Sequence, residues 1–187
     1  MSLQASSSQT VGPYFRMGLA PLYQNQIAGP EFKGEHIRLS GRVLDGDGLP
    51  VPDALVEIWQ ANAAGRYNHP EDVGEQPLDP TFYGFGRWPT DSGGSFEFST
   101  IKPGQVRGLG GKLQAPHLLV SIFMRGILKR VVSRIYFEGE DANDQDPILQ
   151  LVPAERRSTL IARKEAIGHY SWTVHMQGSH ETVFFDV

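Results

Sequence analysis

The stretch Gln114-Ala-Pro-His-Leu-Leu-Val-Ser-Ile-Phe-Met-Arg-Gly126 constrains the fold more than any other part of this chain. It is an apolar run with one histidine, His117, at its entrance and one arginine, Arg125, at its exit. Pro116 suits a strand start and Gly126 a strand end, which together favour a buried core strand over a helix. Whether His117 is chemically active is the question that the rest of the sequence has to answer.

A core strand needs partners, and several segments offer them. Ile37, Leu39 and Val43 alternate with polar residues from His36 onward, until Asp45-Gly46-Asp47-Gly48 supplies a hairpin turn. That tetrapeptide reads as a turn rather than a calcium-loop fragment, because the downstream glutamate and remaining ligands are missing. Asp53 to Gln60 places Leu55, Glu57 and Trp59 on one face and Val56 and Ile58 on the other, with Trp59 expected in the core. Ser95 to Ser99 alternates after the Asp91-Ser92-Gly93-Gly94 turn. Arg130 to Phe137 sets Val131, Ser133, Ile135 and Phe137 against Val132, Arg134 and Tyr136. Tyr170 to Met176 and Thr182 to Val187 read as two closing strands. Pro153 to Glu165 is the one predicted helix, with Leu160 and Ile161 forming an apolar stripe. The expected fold class is all-β: an antiparallel β-sandwich with long loops and one short peripheral helix.

The 187 residues suit one domain. Residues 1–9 read as a flexible leader, residues 10–187 as the body, and residues 10–35 as an extended N-terminal arm begun by the Gly12-Pro13 turn. Seventeen basic and 21 acidic residues give a net charge of −4, which offers no electrostatic footprint for nucleic acid or an anionic membrane. No run approaches the roughly 20 apolar residues that a spanning helix needs. With no cysteine, disulfides, thiolate nucleophiles and zinc–thiolate sites are excluded, and a cytoplasmic location is expected. The carboxylates from Glu138 to Asp146 read as a solvated loop rather than a metal site.

Six histidines and six tyrosines are the obvious candidate ligands or acid–base groups. No nucleophile-elbow, phosphate-loop or His-Glu-x-x-His motif occurs, and His117 has no second histidine two or four residues away. His175 and His180 read as an incidental pair, and His36, His69 and His169 as surface or locally bonded residues.

Several fragments, taken together and in order, resemble the intradiol ring-cleaving dioxygenases. They are Leu55-Val-Glu-Ile-Trp-Gln-Ala-Asn62, Gly65-Arg-Tyr67, Gly86-Arg87, Thr90-Asp91, Thr100-Ile-Lys-Pro-Gly104, Ala115-Pro-His117, Arg134-Ile-Tyr-Phe137 and Glu181-Thr-Val-Phe-Phe-Asp186. The resemblance implies a β-sandwich whose catalytic members hold a non-haem ferric ion with two tyrosines and two histidines, a donor set suited to Fe(III). The matching positions here are Tyr67, Val106, His117 and Leu119. Valine and leucine have no lone pair to give, so two of the ligands that the resemblance implies are missing.

That departure is similar to the non-metallated alpha-type chain found in two-chain members of the family. The resemblance then implies that this chain binds no metal, that Fe(III) is bound by a partner beta chain, and that the substrate is an aromatic dihydroxy acid. It further implies that Thr10, Gly12, Pro13 and Arg125 are contributed to the partner's substrate pocket. A guanidinium and backbone donors suit a benzoate carboxylate. The alternative reading is a non-catalytic aromatic-acid-binding or scaffold β-sandwich, with Trp59, Tyr67, His117 and Arg125 lining its pocket.

Overall fold

A computed structural model describes residues 5–186 of the chain. Its strands are β1 (His36–Leu44), β2 (Leu55–Trp59), β3 (Phe85–Pro89), β4 (Ser95–Ile101), β5 (Val106–Arg107), β6 (Leu113–Gln114), β7 (His117–Phe123), β8 (Val131–Phe137), β9 (Ile161–Ala166) and β10 (His169–His175). Eight run in the order β3-β2-β7-β8-β9-β10-β1-β4, while β5 and β6 form a separate two-stranded ribbon. The shared element is β9. Its Ile161 and Ala162 pair with Tyr136 and Phe137 of β8, and its Arg163 and Lys164 pair with Ser171 and Tyr170 of β10. Two sheets, β3-β2-β7-β8 and β10-β1-β4, are thereby joined along one side. The expected antiparallel sandwich holds with two exceptions, since β8–β9 and β1–β10 are parallel.

Period-two alternation sets the core on one face of each strand. Leu118, Val120 and Ile122 of β7 point inward and are fully buried, against Val56 and Ile58 of β2 and Phe98 of β4. Burial of such side chains is worth about 1.5–3 kcal/mol each. The open edges β3 and β4 are tied together by the segment around Gln24 to Ile27. Gln24 and Arg87 exchange both backbone hydrogen bonds, Ser99 N donates to Asn25 O, and Ile27 N donates to Ser99 O. These bridges occupy the middle of each edge, at Arg87 of β3 and Ser99 of β4.

Three local expectations are corrected. Pro13–Leu19 is an α-helix, α1, where an extended arm was expected from 10–35. Gly12 is its N-cap and Pro13 its first residue, where a fixed φ helps and the missing N–H costs nothing. The arm docks on its own body: Phe15 lies 5.2 Å from Phe123 between ring centroids, and Arg16 donates to the Pro52 carbonyl at 2.9 Å. The second correction is at 153–165, where no α-helix forms. Ala154–Leu160 is a 3₁₀ helix and the chain then extends as β9, because Leu160 and Ala162 are both fully buried, a period of two rather than 3.6. Of the last predicted strand, only an isolated bridge between Phe185 and Val132 is present, and Val187 lies outside the described residues. Part of the 1–9 leader also lies outside them, and residues 5–9 carry no helix or strand. Asp45-Gly-Asp-Gly48 is the expected turn, with Asp45 Oδ1 accepting from Asp47 N and Leu49 N.

Candidate functional site

Of the four positions that the resemblance matches to family ligands, His117 and Leu119 lie on the outer face of the first sheet, Tyr67 packs on Trp59 of the same face, and Val106 starts the adjoining β5–β6 ribbon. After β2, Asn62 builds the turn that carries Tyr67. Its Oδ1 accepts from Ala64 N and Arg66 N, and its own carbonyl accepts from Gly65 N and Gly104 N, each at 2.9–3.0 Å. Gly65 has φ of 81°, and a Cβ there would drive into the Gln105 carbonyl. The Gly65-Arg-Tyr67 turn and the Lys102-Pro-Gly104 loop leading to Val106 are therefore in backbone contact. Tyr67 packs against Trp59 at 4.6 Å between centroids, with the ring planes tilted by 45°. Burial pushes its hydroxyl up to about 12, and the Arg134 guanidinium opposes that rise.

Register sets the rest. On the outer face His117 pairs with Tyr136, Leu119 lies between Trp59 and Arg134, and Ser121 lies between Glu57 and Val132. His117 is 3% exposed, and its Nδ1 donates to the Ala115 carbonyl at 2.7 Å. Burial lowers its pKa to about 4, and the nearby Arg134 pushes the same way. Above it sits a second, smaller apolar cluster of Ala115, Tyr136, Leu149, Val152 and Leu160. Asp146 pins this cap. Its carboxyl group, fully buried, accepts from Ala115 N at 2.7 Å, Tyr136 Oη at 3.0 Å, Ile148 N at 2.9 Å and Leu149 N at 2.7 Å. Asp146 thus departs from the solvated loop expected of 138–146, whereas Asp141 and Asp144 are exposed as expected. Burial also raises the Tyr136 hydroxyl well above the ordinary phenol range.

Beyond the cap the same face opens into a cleft of about 790 Å³. Trp59, Phe85, Leu119, Ser121, Arg134 and Phe185 are among the residues that line it. Trp59 is therefore a half-buried wall, not the core residue expected. Arg125 lies elsewhere, so the pocket of Trp59, Tyr67, His117 and Arg125 considered from the sequence is not assembled. The guanidinium in that neighbourhood is Arg134, whose Nη1 donates to Gln114 Oε1 at 2.7 Å.

Arg125 belongs to a second cleft, of about 530 Å³, at the far end of β7. Gly12 and Pro13 line it too, and Thr10 is tied alongside by the Gly126 N–H, which donates to Thr10 Oγ1 at 3.0 Å. The Arg125 guanidinium pairs with Asp53 and remains 65% exposed. The structure thus brings Thr10, Gly12, Pro13 and Arg125 together. Tyr14 and Met17 on α1 are exposed beside them.

The residues at the ligand positions do not fit a ferric ion. Val106 and Leu119 offer hydrocarbon, which leaves only the Tyr67 hydroxyl and His117 Nε2 as donors. A fixed guanidinium beside both adds repulsion to any incoming cation. Among the described residues no group of three His, Asp or Glu could hold a metal elsewhere. His175 and His180 lie 6.2 Å apart between centroids without a third donor. Sequence reasoning missed Arg134 and Asp146. Alternation put Arg134 on the outer face with Tyr136, but only register sets it beside Leu119.

The family model described as "Dioxygenase" matches residues 10–186. The chain belongs to this family, the intradiol ring-cleaving dioxygenases. It is 43% identical to the protocatechuate 3,4-dioxygenase alpha chain of Burkholderia cepacia, over the whole of this chain and 99% of that one. It is 44% identical to the beta chain from the same organism, over 76% of this chain and 61% of the other. Among solved structures, the dioxygenase domain of a dioxygenase–carbohydrate-binding protein fusion from Streptomyces sp. SirexAA-E superposes with a TM-score of 0.63 at 22% identity, covering 86% of this chain and 89% of that one. That likeness concerns the fold alone. No helix among the described residues is long and apolar enough to cross a membrane.

Proposed function

We propose that this chain is the non-metallated alpha subunit of a cytoplasmic, heteromeric protocatechuate 3,4-dioxygenase. In this reading it supports cleavage of protocatechuate by O2 to 3-carboxy-cis,cis-muconate at the Fe(III) site of a beta chain. The bond broken lies between the two hydroxylated ring carbons, and both oxygen atoms enter the product. The observation that carries the reading is full-length similarity to an alpha chain, combined with two ligand positions filled by hydrocarbon in an otherwise retained site.

The work assigned to this chain lies at the α1 end of β7. Arg125 is exposed, fixed in direction by Asp53, and bordered by the Gly12-Pro13 backbone and Thr10. Such a guanidinium suits the carboxylate that distinguishes protocatechuate from plain catechol. The adjoining Tyr14 and Met17, 82% and 57% exposed, supply apolar surface for the partner subunit.

The test is expression of this chain alone and together with a beta chain. The chain alone is expected to carry no iron and take up no O2 with protocatechuate, whereas the pair carries iron and turns over. Near-stoichiometric iron in the chain alone, with the red colour of a ferric tyrosinate, would overturn the reading.

A further inference from the structure

The cleft beside the former ligand positions has the wrong charge for a metal ion and the right charge for an acid. Its charged lining is Arg130, Arg134 and Glu57. Glu57 is already engaged, since Arg87 Nε donates to its Oε1 at 2.6 Å. Among the described residues no carboxylate lies within ion-pairing distance of Arg130 or Arg134. Arg134 uses a single Nη, toward Gln114 Oε1 and, at 3.5 Å, the Tyr136 hydroxyl. A guanidinium has five N–H donors. Among the described residues the remaining donors of Arg134 have no hydrogen-bond acceptor, and they are not among the sealed, unpartnered polar atoms, which are Arg66 Nε and Asn143 Oδ1. A half-buried cation with no carboxylate partner among the described residues is costly unless something else pairs with it.

The walls around that cation are flat and apolar. Trp59 stands beside Leu119 across the β2–β7 ladder, and Leu119 stands beside Arg134 across β7–β8. Phe85 and Phe185 complete a cleft of about 790 Å³, the size of a small-molecule site. Leucine at position 119 thus does more than remove a ligand: it provides an apolar surface next to the guanidinium.

We propose that this cleft is a binding site for an aromatic monocarboxylate, with the carboxylate on the Arg134 guanidinium and the ring against the Trp59–Leu119 wall. The acid is bound there and not transformed. The site lies wholly within this chain, so the proposal goes beyond the subunit reading and stands or falls separately from it.

Calorimetric titration of 4-hydroxybenzoate, which lacks the catechol pair, into the purified full chain is expected to show one equivalent bound. Arg134→Gln weakens that binding about tenfold or more, as does replacing the acid with 4-hydroxybenzamide. Leu119→Trp, which fills the cleft without touching a charge, abolishes the heat, and acetate at matched concentration fails to compete. Melting curves establish that the variants are folded. If Arg134→Gln does not fold, the comparison of acid with amide and Leu119→Trp still decide. Absence of binding to the native chain, equal affinity for acid and amide, or binding unchanged by either variant would overturn the proposal.

Discussion

The two ends of β7 carry the chemistry that the sequence pointed to, and they are built in opposite ways. At the entrance, His117 is sealed beneath a second apolar cluster and its Nδ1 proton is held by the Ala115 carbonyl. At the exit, Arg125 projects into solvent beside α1, paired with Asp53. Between them the cover thins, from buried His117 to half-buried Leu119 and Ser121. The difference teaches that family membership and site chemistry are separable: the entrance holds hydrocarbon, Leu119, where the resemblance implies a ligand, and the exit presents a charged, exposed side chain. Substitutions at the entrance should cost stability, and substitutions at the exit should cost function in the assembled enzyme.

The largest expected effect is at the cap over the entrance. Asp146→Ala leaves three backbone N–H groups and the Tyr136 hydroxyl without their acceptor in a dry interior. Unmet buried donors at this scale cost about 4 kcal/mol. Urea unfolding should show a midpoint shift of that size, with the β7 entrance losing hydrogen-exchange protection first. A variant as stable as the parent would mean that the cap does not hold the entrance.

His117 gives the next largest effect, and it appears only with pH. Burial, aided by Arg134, lowers its pKa from the ordinary 6.5 to about 4. Between those values the unfolded chain binds a proton that the folded chain refuses. The contribution of the neutral imidazole is therefore full above pH 6.5 and lost progressively as pH falls toward 4, by about 3 kcal/mol in all. Unfolding midpoints measured from pH 7 to 4 should track this slope, and His117→Gln should flatten it. An unchanged slope in the variant would assign the acid sensitivity to other groups.

Legibility in the sequence follows the same division. The division of β2 and β8 into two faces was readable because alternation is local, but the inward face was not: Val56 and Ile58 turn inside, and Trp59, expected in the core, lies on the other face. What was lost depends on contacts distant in sequence. Leu160 and Ile161 fit a helical stripe as well as a strand, and only the pairing of Ile161 and Ala162 with β8 decides between them. Gly12-Pro13 serves a turn and a helix start equally, so α1 was hidden. The site itself was half readable. Its four ligand positions and the group of Thr10, Gly12, Pro13 and Arg125 came from motif resemblance. Arg134 needed the β7–β8 register, and Asp146, one acid in an acidic run, needed its four donors.

At the exit the expected effects are smaller in stability and specific to function. Arg125→Ala removes an exposed pair worth at most about 1 kcal/mol, so the melting temperature should scarcely move. If Arg125 meets the substrate carboxylate as proposed, the same change in the assembled enzyme should raise KM for protocatechuate about tenfold or more with little change in kcat, through loss of a charge-assisted contact. Arg125→Lys should recover only part of it, since an ammonium lacks the two-pronged geometry. A KM unaffected by either change would remove Arg125 from the substrate pocket.

The smallest effect tests whether the arm and the arginine act together. Thr10 Oγ1 accepts the Gly126 N–H, so it links the start of the arm to the residue after Arg125. Thr10→Ala removes one exposed hydrogen bond, worth about 0.5–1 kcal/mol. Gly126 should then exchange its amide hydrogen faster while the melting temperature stays constant, and KM should rise a few-fold at most. Thr10→Ser keeps the hydroxyl and should behave as the parent. If the serine variant also raises KM, the methyl group matters and the arm acts through packing; if neither variant does, the arm is a clamp on the fold and Arg125 meets the substrate alone.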